Sequence, residues 1–434
     1  MPLRFIAVLT FVICTAFSAE VPPNIVMIIS DDHHWADYSF AGHPHVKTPN
    51  LDKLASESLT FTRGYVPSSL CCPSLATIIT GLYPHQHKVV SNDPPEPAGA
   101  AKGKGKAKGK RGPNNEAFQK GRERQSEHLR NAGTLPMMLS KLGYMSLQTG
   151  KWWQGHFSKG GFTHGMTQGQ RHGDQGLDIG RKTMQPIYDF IGEAQTAKKP
   201  FMVWYAPMMP HDPHTPPDAI LEKYKSLTTS LPVAKYWAMV DWFDQTCGEL
   251  LKHIDDKGLR DNTIVVYVTD NGWITDPVKG KYAPKSKQSQ YDGGVRTPIM
   301  IRWPGKAKPQ IIATPISSID IAPTLLKAAG GTPTVAMQGI NLLDDAAVSS
   351  RNHIFGECFV HSAIDLDNPT PNLRWRYVVE GNHKLILPWK ANQPNDVVEL
   401  YDLKSDPTET LNLAEKKADK VAELTKVIDA WWTP

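Results

Sequence analysis

Cys71-Cys72-Pro73-Ser74, running through Leu75-Ala76-Thr77-Ile78-Ile79-Thr80 to Gly81, is the stretch where residue type and order point most directly to covalent chemistry. Pro73 fits the first turn of a helix because its missing N–H is an orphan there anyway, and the Ser74 hydroxyl is expected to help satisfy the free amides beside it. A side chain held at such a helix start faces unpaired N–H groups and the positive end of the dipole, which favour a developing anion. Cys71 is therefore a candidate nucleophile. Taken alone, Cys-Cys-Pro is more often a pair of small buried hydrophobes, so the residues that accompany it decide the matter.

Asp31-Asp32 follows the apolar run 24–30, and Asp270-Asn271 follows the apolar run 263–269. Three carboxylates and an amide oxygen suit a hard divalent cation, Ca²⁺ or Mg²⁺, rather than zinc. In isolation, Asp-Asp or Asp-Asn-Gly is more often a turn or a cap; the shared position after a buried run sets these apart. Lys151 and His211 also follow expected strands, at Gly150 and Pro210, and Lys287 lies just before Tyr291-Asp292-Gly293-Gly294. Singly they read as surface or satisfied polar residues. Gathered around a cation, they would offer positive charge to a tetrahedral oxyanion.

These residues need a frame that brings segment ends together. The runs 24–30, 201–206 and 263–269 are short, continuous and apolar, the signature of strands buried on both faces, and 144–149 reads as a further strand. Helices are expected from the Thr48-Pro49-Asn50-Leu51-Asp52 start to about Ser58, at 134–142 and, long and amphipathic, at 234–257. Such alternation predicts an α/β fold: a large mixed, mostly parallel sheet flanked by helices, with functional groups at the carboxyl ends of its strands. Strands at 376–380, 383–387 and 400–403, followed by a helix at 419–432, predict a small C-terminal antiparallel sheet with a terminal helix.

The chain has 434 residues with 40% hydrophobic content, enough for one large core and a smaller appended unit. Arg4 precedes an apolar run to Phe17, with small residues at Ala16, Ser18 and Ala19, which reads as a signal peptide over 1–19 and no stable membrane span. The expected location is outside the cytoplasm, periplasmic or secreted. Cys14 falls inside that run, leaving Cys71, Cys72, Cys247 and Cys358, too few for a disulfide framework in a chain this long. Lys102, Lys104, Lys106, Lys108, Lys110 and Arg111 account for more than the whole formal net charge of +5. This low-complexity insertion at about 94–115, flanked by Pro94, Pro95, Pro97 and Pro113, reads as a surface loop: a solvated insertion, or one attracted to polyanions such as sulfated glycan. With no interleaved aromatics, nucleic acid is not an expected partner.

Eight motifs in order resemble the type I sulfatases of the alkaline-phosphatase superfamily: Asn-Ile-Val-Met-Ile-Ile-Ser-Asp-Asp (24–32), Thr-Pro-Asn-Leu-Asp (48–52), Cys-Cys-Pro-Ser (71–74), Gly-Lys-Trp (150–152), Pro-His-Asp-Pro (210–213), Thr-Asp-Asn-Gly (269–272), Lys287 with Tyr-Asp-Gly-Gly-Val-Arg-Thr-Pro (291–298), and Glu-Leu-Tyr-Asp-Leu with Asp-Pro-Thr-Glu (399–409). The resemblance implies a sulfatase-like catalytic domain over 20–335 and a small subdomain over 340–434. It further implies Ca²⁺, with Mg²⁺ the lesser choice, on Asp31, Asp32, Asp270, Asn271 and the modified Cys71, which a formylglycine-generating or anaerobic maturation enzyme would oxidise to formylglycine. Lys151, His211 and Lys287 would bind sulfate, His211 or Lys287 would assist the leaving alcohol, and Asp270 would act as base. The implied substrate is a sulfated carbohydrate or a small aryl sulfate. A phosphoester or phosphonate hydrolase and a non-catalytic glycan-binding relative stand as alternatives.

Two positions depart from the family pattern. Leu75 stands where the motif Cys-x-Pro-Ser-Arg has arginine, and Trp153 stands where Gly-Lys-Trp-His has histidine. The paired apolar replacements are expected to pack on each other, with polar groups arriving from the Gly-rich segment 155–176, where His156, His164, Arg171 and His172 are the residues expected to compensate. The loops 33–46, 92–130, 154–185 and 359–375 are expected to shape the pocket, with His361, Arg374 and Trp375 at its mouth.

Overall fold

The computed structural model describes residues 21–95 and 116–434. The expected signal peptide, Cys14 and the Lys102 to Arg111 tract, with Pro97 and Pro113, lie outside the described residues. The main sheet contains β1 (Asn24–Ser30), β2 (Leu59–Tyr65), β3 (Met145–Gly150), β4 (His164–Gly165), β5 (Phe201–Ala206), β6 (Thr263–Thr269), β7 (Arg296–Arg302), β8 (Gln310–Ile312) and β9 (Ile316–Ser317). Its order is β4-β3-β5-β1-β6-β7-β2-β8, with β9 also paired to β2. Strands β3, β5, β1 and β6 run parallel, and β7 is antiparallel to both of its neighbours.

The pleat explains how one apolar run serves two faces. Ile25, Met27 and Ile29 pack with Ile78 and Ile79 of the helix Cys71–Thr80, Leu135 and Leu139 of Leu135–Ser140, and Leu325 of Ile321–Ala328. Val26 and Ile28 point the other way, onto Leu51 and Leu54 of Pro49–Ser56, Ile187 of Gln185–Thr196 and Phe243 and Leu250 of Leu231–Asp256. With both faces covered, the free carboxyl edge of the sheet is where polar groups can gather.

A second, antiparallel sheet holds β10 (His353–Phe359), β11 (Leu373–Glu380), β12 (His383–Pro388) and β13 (Glu399–Asp402), in that order. Leu424 and Ile428 of the terminal helix Ala418–Trp431 cover one face. The other packs on Tyr65, Val66 and Val295 of the main domain. The expected α/β sheet and small C-terminal sheet are both present. Among the elements not anticipated are β2, β7 and β10, and the helix Glu116–Ala132 inside the stretch expected to be loop.

Candidate active site

Four adjacent strand ends deliver the polar residues. Asp31 and Asp32 follow β1, Lys151 follows β3, His211 lies beyond β5, and Asp270 and Asn271 follow β6. Register fixes this meeting: Ser30 pairs with Thr269, and Gly150 with Ala206. Gly150 has φ of 72°, and a Cβ there would stand 1.8 Å from the Ala206 carbonyl oxygen, so only glycine lets the chain turn Lys151 into the site. Asp32 also adopts positive φ, 60°, a conformation that Asp tolerates better than most residues and that concentrates at functional sites.

The side chains form one buried ionic cluster. Lys151 Nζ lies 2.7 and 2.6 Å from the two Asp31 oxygens and 3.7 Å from Asp270 Oδ2. Lys287 Nζ donates to Asp32 Oδ2 at 2.6 Å and lies 3.3 Å from His211 Nε2. Asn271 Nδ2 donates to Asp32 Oδ1 at 2.6 Å, while the Asn271 and Asp32 backbone amides donate to Asp270 Oδ1 at 2.6 and 3.1 Å. Asn271 Oδ1 and Asp270 Oδ2 are buried without a hydrogen-bond partner among the described residues. Burial, then the neighbouring Asp270, pushes the Asp31 carboxyl well above its ordinary range, against the pull of Lys151. Burial likewise raises Asp270. Burial opposes charge on Lys151 and Lys287, but the facing acids outweigh it and hold both ammoniums protonated.

One ligand atom each from Asp31, Asp32, Cys71 and His211 lies within 4.8 Å of the others. Three carboxylates against two ammoniums leave excess negative charge, and two oxygen lone-pair sites are unmet. A hard cation fits the oxygen donors Asp31, Asp32, Asp270 and Asn271, and not the sulfur of an unmodified Cys71 or the His211 ring nitrogen. His211 Nδ1 is 2.5 Å from the Asp212 carbonyl oxygen, to which it donates, leaving Nε2 bare toward Lys287. Burial and the two lysines drive its pKa well down, so the ring is neutral.

Cys71 opens the helix Cys71–Thr80, which Gly81 ends in the left-handed region at φ 68°. The free amide at Cys72 is met by Asn92 Oδ1 at 2.9 Å. The expectation for Ser74 fails: its hydroxyl is buried with no partner among the described residues, and Asn92 caps the helix start instead. Burial raises the Cys71 thiol far above its ordinary value, Lys151 and Lys287 offsetting this only in part. An un-ionised thiol is a poor nucleophile. Cys72 accepts from Gln154 Nε2 at 3.1 Å, and does not line the pocket that Cys71 lines.

That pocket, about 190 Å³, is bounded by Cys71, Trp153, His172, His211, Lys287 and His361, with Arg171 and Asn92 among its other walls. Of the four compensating residues expected, Arg171 and His172 reach it. His156 does not: it folds back on Ser158 Oγ at 2.9 Å and lines a neighbouring cleft. His164 sits on β4, 3.3 Å from Glu193, away from the site. Arg374 and Trp375 also miss the mouth, since Trp375 is buried in the second sheet, bonded to Asp396 at 2.8 Å, with Arg374 stacked on it at 4.0 Å. Leu75 and Trp153 share one apolar cluster. Sequence reasoning did not single out Asn92 and Trp273, which line this pocket, nor Asp93, which pairs with its wall residue Arg171, nor Arg122 of the helix Glu116–Ala132, which lies over its wall residue Trp153; tertiary packing rather than a local motif places them.

A sulfatase family model matches residues 23–331. The chain belongs to the sulfatase family. This sulfatase-family chain also matches, over 280–430, the C-terminal model of N-sulphoglucosamine sulphohydrolase. It is 29% identical to human N-acetylgalactosamine-6-sulfatase over 76% of its own length, spanning 66% of that protein. It is 25% identical to N-acetylgalactosamine-6-O-sulfatase of Bacteroides thetaiotaomicron over 94% of this chain and 93% of that one. A solved structure in complex with its substrate D-glucosamine-2-N,6-O-disulfate shares the fold, with TM-score 0.69 and 20% identity over 94% of this chain and 97% of that chain.

Proposed function

We propose that this protein is an exported sulfuric ester hydrolase that removes sulfate from a sulfated carbohydrate or small aryl sulfate, using a formylglycine made from Cys71 and a Ca²⁺ ion held by Asp31, Asp32, Asp270 and Asn271. The observation that carries this reading is that the helix-start Cys71, with His211 and Lys287, lines one small pocket and lies against a buried cluster of acids paired with Lys151 and Lys287. The relatives named as sulfatases support the substrate class. The N-terminal pattern supports export, and no helix among the described residues is long and apolar enough to cross a membrane.

Bound together, the hydrated aldehyde and the cation would supply a hydroxyl nucleophile that can later collapse to release sulfate, and a Lewis acid for the sulfuryl oxygens. The chain's own groups account for the rest. Lys151 and Lys287 bring fixed positive charge to the oxygens of a transferring sulfuryl group, and their bonds to Asp31 and Asp32 hold them there before substrate arrives. Asp270 Oδ2, with no hydrogen bond to occupy it, is the base this reading assigns. Since His211 is neutral, the proton for the departing alcohol resides on Lys287, with His211 Nε2 orienting that ammonium from 3.3 Å.

Parallel assays of the purified protein with aryl sulfate, sulfated disaccharide and aryl phosphate test the reading. Sulfate release that disappears in Cys71→Ala is the expected result. Glycan binding without turnover, or faster phosphate than sulfate release, would overturn it.

A further inference from the structure

A second cleft, about 230 Å³, lies against the first and shares two walls with it, Trp153 and Arg171. Arg122, on the buried face of the helix Glu116–Ala132, is 9% exposed and lines only this second cleft of the two. The guanidiniums of Arg122 and Arg171 stack over the Trp153 indole, their centres 4.7 and 4.9 Å from its ring. Asp93 ties both arginines together, through Arg122 Nη2 and through Arg171 Nε and Nη2 at 3.1 and 3.0 Å.

This assembly is left short of both charge and acceptors. One carboxylate serves two guanidiniums, and Lys159 at the rim is already paired with Glu123, so the cleft keeps a net positive charge. Arg122 Nε and Nη1 and Trp153 Nε1 are all buried with no hydrogen-bond partner among the described residues. Buried donors without acceptors are rare in a settled structure and call for a missing acceptor. An anion supplies acceptors and charge at once, and a planar guanidinium is the group best suited to bind carboxylate or sulfate.

We infer that this cleft is a second anion subsite, which takes a sulfate or carboxylate on the sugar next to the one being desulfated. The inference rests on the sulfatase reading for what occupies the first pocket. Trp153, one of the two departures from the family motif, is the partition between the subsites. Arg171, its side chain 35% exposed, forms the edge over which a glycan passes from one to the other. The substrate class is thereby narrowed to glycans with anionic groups on neighbouring sugars.

Calorimetric titration of the intact protein tests this independently of turnover. The probes are three disaccharides with the same sulfated terminal sugar: one with a neutral neighbour, one with a sulfated neighbour and one with a uronate neighbour. Wild type is expected to bind at least one doubly anionic probe about tenfold more tightly than the neutral one, the scale of a desolvated charge pair across an interface. A gain with only one probe identifies the group. In Arg122→Gln the gain should fall below about twofold, and Arg122→Lys should restore part of it, a charge-specific pattern that general loss of packing does not give. Arg171→Gln, on a more exposed side chain, provides a second variant should Arg122→Gln fold poorly. Equal affinity of wild type for all three probes, or an undiminished gain in both glutamine variants, would overturn the subsite. Sulfate release from the same mixtures, read by ion chromatography, separately reports whether the sulfatase reading stands.

Discussion

Lys287 and Asp270 are where the charge argument is sharpest. Lys287 is buried, protonated and bonded to Asp32 at 2.6 Å, so Lys287→Ala removes a preset cation from the sulfuryl pocket. Its kcat for aryl sulfate should fall on the order of 10²–10³-fold, as for loss of one donor to a developing oxyanion. Steady-state kinetics in which only KM changes would contradict this. The three crowded carboxylates make a related prediction about the metal. Chelation with EGTA should lower the melting temperature and Ca²⁺ should restore it, since a cation bound at about a hundredfold above its Kd contributes about 2.7 kcal/mol. Asp270→Asn should blunt that response; a melting temperature indifferent to both treatments would argue against a cation there.

Individual strands position these residues, and the tightest constraint is at the end of β3. Gly150→Ala would drive a Cβ to 1.8 Å from a backbone oxygen at a positive φ, with an expected cost above about 2 kcal/mol in urea unfolding. A loss below half of that would show that the turn adapts easily. The buried strands β1, β5 and β6 were legible because an unbroken apolar run has few other uses, and their ends then located Asp31, Asp32, Asp270 and Asn271. The helix Glu116–Ala132 was not legible. Its buried face carries Arg122, Gln125, Ser126 and His128, polar residues satisfied or exploited by tertiary partners, so the 3.6-residue period has little apolar signal. β10 was hidden for a similar reason: Glu357 is fully buried in it and bonds the His85 amide at 2.8 Å, a partner distant in sequence. Loop residues such as Asn92 depend on chain paths that no local pattern encodes.

Across the whole molecule, the two sheets are joined by a buried ionic knot beside the active-site domain. Lys384 of β12 lies 2.8 Å from Asp292 and 2.9 Å from Glu409, and Glu409 accepts from the Asp292 amide at 2.6 Å. Burial raises Glu409 from 4.5 to about 7, Lys384 pulling the other way and Asp292 adding repulsion. Because the folded state holds this proton more tightly than the unfolded chain, its stabilising contribution is full below pH 4.5 and fades as pH rises through about 7. Melting temperatures of wild type relative to Glu409→Gln should therefore drop between those values and level off above; a constant difference would contradict the assignment. This knot bears on catalysis only through docking of the second sheet, whereas the account of function turns on Cys71. The most direct test is mass spectrometry of the Cys71-bearing peptide from protein made in its native host. An aldehyde at Cys71 and an intact thiol at Cys72 are expected; an intact thiol at Cys71 in protein that releases sulfate would overturn the formylglycine chemistry.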